Sequence, residues 1–278
     1  MAEVFANWQG AAKLVDPAKP ARWGSVYVGL ARGRESFKWM TPMLAYGIGH
    51  PLLYLMSIGI GLGSLVSKNM GLVDGVPYLT FLAPALLMAS ALQVAVDETS
   101  FVVLQGFSWE KSFFAMNQTA ITGKQIASGL MYYAIFRVLM NSGIYAMFLV
   151  LFGAMKLEAV PLQLLIAVFV GTAFGFVMLA YSAFVNEEGD WLVLMMRFVI
   201  APMFMFSGTY FPLSVLPIWL QWIGWISPVW HATDLGRALS YGHQVEPWLL
   251  VVHVVYLVAL GVIGMATTYP QFKKKLAE

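Results

Sequence analysis

Cysteine is absent from this 278-residue chain. That excludes disulfide scaffolds, thiolate metal sites and cysteine nucleophiles. Charge is scarce as well. Asp, Glu, Lys and Arg make up 11% of residues, against about 25% in a soluble globular domain, whereas 60% are hydrophobic. So few charges cannot clothe a water-facing surface of this size, but they suit a surface that faces lipid. A phosphate-binding loop is also missing. The only Gly-Lys pair, Gly123-Lys124, is followed by Gln125 and lacks the upstream glycine spacing, so the chain is not expected to hydrolyse ATP by that device. No HExxH or other close histidine pair occurs. His50, His231, His243 and His253 are scattered over different segments, and neither a catalytic constellation nor a metal site is expected. The acidic residues cluster as Asp97-Glu98 and Glu187-Glu188-Asp190, which read as solvated charges at helix ends. Residues 1–38 hold no apolar core of the signal-peptide kind. The first spanning segment is therefore expected to act as its own uncleaved signal.

What is present is long apolar runs. A spanning helix needs about 20 mostly apolar residues. Six segments meet that standard, over roughly 41–66, 78–96, 126–153, 161–185, 191–211 and 248–268. The stretch over 212–228, PLSVLPIWLQWIGWISP, is short, broken by Pro212, Pro217 and Pro228, and carries three tryptophans. Tryptophan prefers the water–lipid boundary. This stretch reads as interfacial or re-entrant short helices packed on the bundle, not as a seventh span. The expected fold is thus an all-α polytopic membrane protein. A cytoplasmic N-terminal segment (1–40) precedes a six-span domain (41–268) and a basic tail (269–278).

Charge bias sets the orientation. Lys13, Lys19, Arg22, Arg32, Arg34, Lys38, Lys111, Lys124, Lys273, Lys274 and Lys275 fall on one side, with only Lys68, Lys156 and Arg237 on the other. Six spans put both termini on the basic side, which is expected to be cytoplasmic. Residues 3–15 place Val4, Phe5, Trp8, Ala12 and Val15 at roughly helical spacing. They read either as an amphipathic helix on the inner leaflet or as a partly disordered arm. A second such helix over 24–40 would lead into the first span.

Polar groups within spans are functional candidates by default. Arg137 and Asn141 are four residues apart and share one helix face. They either line a path for a polar head group or bond between helices. His50-Pro51 in the first span marks a kink, either a gate or a packing feature. Gly171 and Gly175 form GxxxG, and Gly47, Gly49, Gly59, Gly61 and Gly63 line the first span. Both patterns permit close helix contact. No internal repeat of the carrier kind is evident. Residues 97–125 are too long for a turn. Trp109-Glu110-Lys111 followed by Phe113, Phe114 and Met116 suits a short amphipathic helix, placed either in a groove of a partner protein or flat on the membrane.

These residues carry a resemblance. Ser207-Gly208-x-x-Phe211-Pro212-x-x-x-Leu216-Pro217, then Pro228, Asp234 and Arg237, is similar to the stretch that leaves the fifth span in membrane subunits of type-2 ABC exporters. The likeness is strongest to the branch holding nodulation-factor, drug and polysaccharide exporter permeases. Trp109 to Thr119 resembles that family's coupling helix, although no proline follows Thr119. The resemblance implies a homodimer working with two separate ATPase subunits, which bind the ATP and Mg; this chain needs no cofactor of its own. It implies that Trp109, Glu110, Lys111, Phe113, Phe114 and Met116 engage the ATPase. The 207–237 region would shape the extracellular exit, and the cargo would be a lipid-linked glycan, a glycolipid or a drug. The bacterial plasma membrane is the expected location, and no nucleic-acid partner is expected. The alternatives are an ion-coupled carrier, for which acidic residues within spans are lacking, and an intramembrane lipid-modifying enzyme, for which convergent His, Asp or Glu are lacking.

Overall fold

The computed structural model describes residues 18–185 and 189–278. Within them, the side chains of several positions between 43 and 70, His50 and Pro51 among them, lie outside the description. So do the helix expected over 3–15 and the pair Glu187-Glu188.

Helices account for almost all of the described residues, and among those residues there is no strand, only an isolated bridge between Val73 and Val76. The order is α1 (Ala18–Phe37), α2 (Met40–Tyr54), a π-helical turn (Leu55–Leu62), α3 (Gly63–Met70), α4 (Tyr78–Thr99), α5 (Phe101–Leu104), a second π turn (Gln105–Trp109) and α6 (Ser112–Asn117). Then follow α7 (Gly123–Leu151), α8 (Val160–Phe184), α9 (Asp190–Met195), a third π turn (Met196–Ile200), α10 (Ala201–Phe206), α11 (Ile218–Ile226), α12 (Pro228–Tyr241) and α13 (Pro247–Lys275).

The sequence marks the starts of these helices. Thr122 caps α7 through a reciprocal capping box with Gln125. Pro161, Pro228 and Pro247 sit in the first turns of α8, α12 and α13, where a missing N–H costs nothing. Gly242, at φ +80°, closes α12 in a left-handed conformation that favours glycine. Lys273, Lys274 and Lys275 occupy the last turn of α13, where positive charge suits the helix dipole.

Among the described residues, four helices are long and apolar enough to cross a membrane: Tyr78–Trp109, Gly123–Leu151, Leu157–Phe184 and Pro247–Lys275. The first and fifth segments read from the sequence are helical too, but each is interrupted by a π turn. Two boundaries shift. The helix that begins at Tyr78 does not stop near 96 but runs on through α5 and the second π turn to Trp109, so the first part of the 97–125 connection is helix. The last helix reaches Lys275.

α4 is the centre of the bundle. Its Phe81, Leu82, Leu87, Met88 and Leu92 are fully enclosed with Tyr145 and Leu149 of α7, Val170 and Met178 of α8 and Leu257 of α13. α8 passes between α4 and α13, and α1 lies along the start of α7, where Gly129 faces the Ser25 carbonyl. The GxxxG of α8 packs inward. A Cβ on Gly171 would meet Val138 at 3.1 Å, and one on Gly175 would meet Met131 at 3.1 Å. That pair therefore spaces helices within one chain and does not form a dimer face. The outward faces are apolar instead: Leu53, Leu165, Phe198, Val251 and Ile263 are all exposed, as expected where the solvent is hydrocarbon.

Candidate functional site

Among the described residues, three polar or aromatic clusters interrupt this apolar bundle. The first surrounds the short helix α6. Lys111, at φ +55°, turns the chain so that α6 folds back beneath the end of the Tyr78–Trp109 helix. Phe113 is buried there against Phe107 (ring centroids 5.0 Å apart) and Phe272 of α13 (6.2 Å). Gly106 makes room for that ring, since any Cβ would overlap it. Phe114 and Met116 are half-buried on the same cluster. Trp109, Glu110 and Lys111 are exposed, Trp109 at 59%. Six residues read alike in the sequence therefore divide, with Phe113 anchoring the helix and the Trp109–Lys111 corner facing outward.

The same cluster continues, through Gln105, into a buried ion-pair network. Arg137 Nε donates to Glu98 Oε1 at 3.0 Å, and Arg32 of α1 approaches Glu98 Oε2 at 3.5 Å. Arg32 also pairs with Glu35 at 3.1 Å, and Gln105 Nε2 donates to Glu35 (3.5 Å) and to Glu110 (2.6 Å). The expectation that Glu98 is a solvated helix-end charge is overturned: it is only 6% exposed. The cause is the onward run of the helix past residue 96, which carries Glu98 inside the bundle opposite Arg137. Arg137 is thus an inter-helix partner. Asn141, one turn on, donates to Ser90 Oγ at 2.8 Å, a kind of contact worth about 0.6 kcal/mol in membrane proteins. The side chain of His50 is not described.

The second cluster is a cavity of about 240 Å³ among Tyr54, Leu86, Ser90, Gln93, Tyr145, Phe204 and Tyr210. Aromatic rings form its walls, while Gln93 and Ser90 supply amide and hydroxyl groups. Tyr54 and Tyr210 bond to each other through their hydroxyls, and Tyr78 Oη donates to the Tyr210 carbonyl at 2.9 Å.

The third cluster joins the residues of the Ser-Gly-x-x-Phe-Pro region. Ser207 Oγ donates to Ser227 Oγ at 2.6 Å, and Ser227 caps α12. Arg237 Nη2 donates to the Gly208 carbonyl at 2.8 Å, and its guanidinium lies 3.8 Å from the Phe81 ring centroid. Gly208, at φ +72°, makes the turn that points this carbonyl at Arg237. Burial draws Arg237 down to about 10, so it remains charged. Phe211 and Pro212 are half-buried at the turn, Pro217 is exposed before α11, and Pro228 is buried at the start of α12. Asp234 bonds His253 at 2.9 Å, and His253 lies 2.7 Å from His231. The sequence offered no close histidine pair, because these two rings come from different helices, 22 positions apart. The pattern predicts exit-element roles for Asp234 and Arg237, but it holds no sign of their histidine partners.

The model of the ABC-2 type transporter family matches residues 26–241. Nodulation protein J of Rhizobium leguminosarum bv. viciae is 28% identical over 255 residues, covering 90% of this chain and 95% of that protein. Nodulation protein J of Rhizobium meliloti (strain 1021) is 27% identical over 230 residues, covering 81% and 84%. The protein of the same name from Bradyrhizobium diazoefficiens is 23% identical over 265 residues, covering 94% and 97%. No solved structure matches the chain.

Proposed function

The chain belongs to the ABC-2 type transporter family, and on that footing we propose that it is the six-span permease of an exporter whose ATP is hydrolysed on separate subunits. The reading is of two permease copies and two ATPases in a bacterial plasma membrane, with both termini cytoplasmic and the Pro212–Pro228 element re-entrant on the outside. α1 then lies at the inner leaflet, and the π-interrupted helices of residues 40–70 and 190–206 serve as the first and fifth spans. Their exposed apolar faces, with Met56, Leu65, Phe198 and Met205 turned outward, are suited to pack on a second copy.

The observation that carries this reading is the division within residues 105–117. Phe113 fixes α6 to Phe107 and Phe272, so a push on the exposed Trp109–Lys111 corner is transmitted to the Tyr78–Trp109 helix and to α13 instead of being absorbed in a loop. ATP drives transport only if the ATPase interacts differently with two states of the permease, and this corner offers it a rigid handle. For cargo, the aromatic cavity suits an amphiphile with a hydroxylated head group. Rings can cover a sugar face while Gln93 and Ser90 bond its hydroxyls. A lipid-linked glycan or glycolipid fits that chemistry better than an ion.

The test reconstitutes the chain with the ATPase that co-purifies with it. Trp109→Ala combined with Glu110→Ala should abolish permease-dependent stimulation of ATP hydrolysis while leaving membrane insertion intact. Unchanged stimulation and export would overturn the coupling assignment, and flux driven by an ion gradient without ATP would overturn the exporter reading.

A further inference from the structure

Beyond the exporter reading, the third cluster fixes a proton count. His231 Nε2 lies 3.0 Å from the Trp225 carbonyl. A carbonyl only accepts, so Nε2 of His231 carries a hydrogen. His231 Nδ1 and His253 Nδ1 are 2.7 Å apart, and one of them must donate. His253 Nε2 and Asp234 Oδ2 are 2.9 Å apart, and again one must donate. Three contacts need three protons. Two neutral imidazoles and one carboxylate supply only two. Without a third, two lone pairs would face each other at hydrogen-bond distance inside the protein, where His231 is 3%, His253 0% and Asp234 8% exposed. Burial pushes His231 down to about 4. It is therefore a neutral ring that accepts at Nδ1, and the additional proton sits between His253 and Asp234.

The groups facing this triad explain why it remains neutral overall. Asp234 has Arg237 and Tyr241 on its own helix. From the turn before α4, Asp74 accepts from Tyr241 Oη at 2.6 Å and pairs with His243 Nδ1 at 2.6 Å. His243 Nε2 points back at Asp234 Oδ1, 3.6 Å away. Tyr78 of α4 faces Arg237, and Tyr256 of α13 stacks on the His231 ring at 3.9 Å. Asp74 and Asp234 balance Arg237 and the additional proton. His243, about a quarter exposed, bridges Asp74 and Asp234 at the edge of the triad.

We propose that Asp234, His253 and His231 form a buried proton-binding site, loaded through His243, whose bound proton holds α11 and α12 against α13. The three contacts run from the end of α11 (Trp225) through α12 (His231, Asp234) to α13 (His253), so removing the proton breaks one of the ties between them. Tyr256 Oη, which donates to the Ile226 carbonyl, then remains as a tie of different chemistry.

The test uses the full chain in lipid nanodiscs and needs no ATPase, so its outcome is independent of the exporter reading. The chain has only four histidines, and ¹⁵N-histidine labelling therefore gives a countable spectrum. Near neutral pH, the four ring nitrogens of His231 and His253 should hold three protons. The equivalent result is two protons plus a carboxylic-acid infrared band that Asp234→Asn removes. Two protons with an ionised Asp234 would overturn the site. Signals are assigned with His231→Gln and His253→Gln, or, should those misfold, by subtracting the signals lost in His50→Gln and His243→Gln. For the holding role, a single cysteine at buried Val229 is labelled and its rate divided by that of a cysteine at exposed Ile226. The ratio should rise about tenfold as pH is raised past release of the proton. A ratio that does not change with pH would overturn the holding role.

Discussion

Glu98 and Arg137 lie 39 positions apart and meet at 3.0 Å, a carboxylate and a guanidinium that face each other inside the bundle. Each is costly to enclose alone and tolerable as a pair. Removing one partner of a buried pair typically costs about 3–5 kcal/mol, whereas replacing both with apolar or neutral groups of similar size is often neutral. Arg137→Met should therefore lower unfolding stability in detergent by that order, tempered by the Arg32 contact, and the double variant Glu98→Gln, Arg137→Met should recover most of the loss. Equal stability of the parent and the single variant would show that the pair is not structurally important.

Gly106 is the second test. A methyl group there would overlap the Phe113 ring, and overpacking costs about 1–3 kcal/mol. Gly106→Ala should displace α6 from Phe107 and Phe272. The expected reading is a more protease-sensitive segment around residues 105–117, with the spans still folded. Adding Phe113→Leu should relieve the overlap and restore resistance to cleavage.

Two glycines within long helices should respond with opposite sign. At Gly264, a Cβ would sit 2.8 Å from the Val177 backbone nitrogen and 3.0 Å from the Phe176 carbonyl carbon. These are backbone atoms that cannot rotate away, and Thr268 holds the same crossing through a 2.8 Å bond to the Phe176 carbonyl. Gly264→Ala should cost about 1–3 kcal/mol. At Gly143, nothing lies within 4 Å of the added atom, so Gly143→Ala should gain about 0.5–1 kcal/mol from helix propensity. Thermal unfolding of the two variants in one detergent checks both signs.

Acid should loosen the α11–α13 contact from the other direction. Burial keeps His231 near 4, below its ordinary 6.5. As pH falls from 6.5 toward 4, the unfolded chain takes up this proton before the folded one, so stability is present above about 6.5 and is lost across that window. The melting temperature should fall there, and His231→Gln should flatten the fall. An unchanged slope in the variant would assign the acid sensitivity to another group.

The membrane class and most helices were legible because long apolar runs and proline starts are local signals. The Ser207–Arg237 pattern falls on the turn at Gly208 and on the short helices α11 and α12. What escaped was decided by contacts between distant segments. Nothing near Glu98 in the sequence shows that its helix continues to Trp109, and only that continuation brings the carboxylate to Arg137. Amphipathic spacing over residues 109–116 could not say which of Trp109 and Phe113 faces inward; Gly106, seven positions before Phe113, was the available clue. His231 and His253 looked unrelated because their approach depends on how α12 packs against α13.

The π turns at Leu55–Leu62 and Met196–Ile200 carry a mechanical consequence. A π turn holds more residues per turn than the α-helix on either side. Passing one residue from π to α geometry changes its twist and rise by a fraction of the α-helical step of about 100° and 1.5 Å per residue, while nearly every backbone bond is remade. These two helices therefore contain slack. Each can unwind or tighten in small steps without melting, and this freedom lies beside Tyr54 at one π turn and Phe204 beyond the other, both of which line the aromatic cavity.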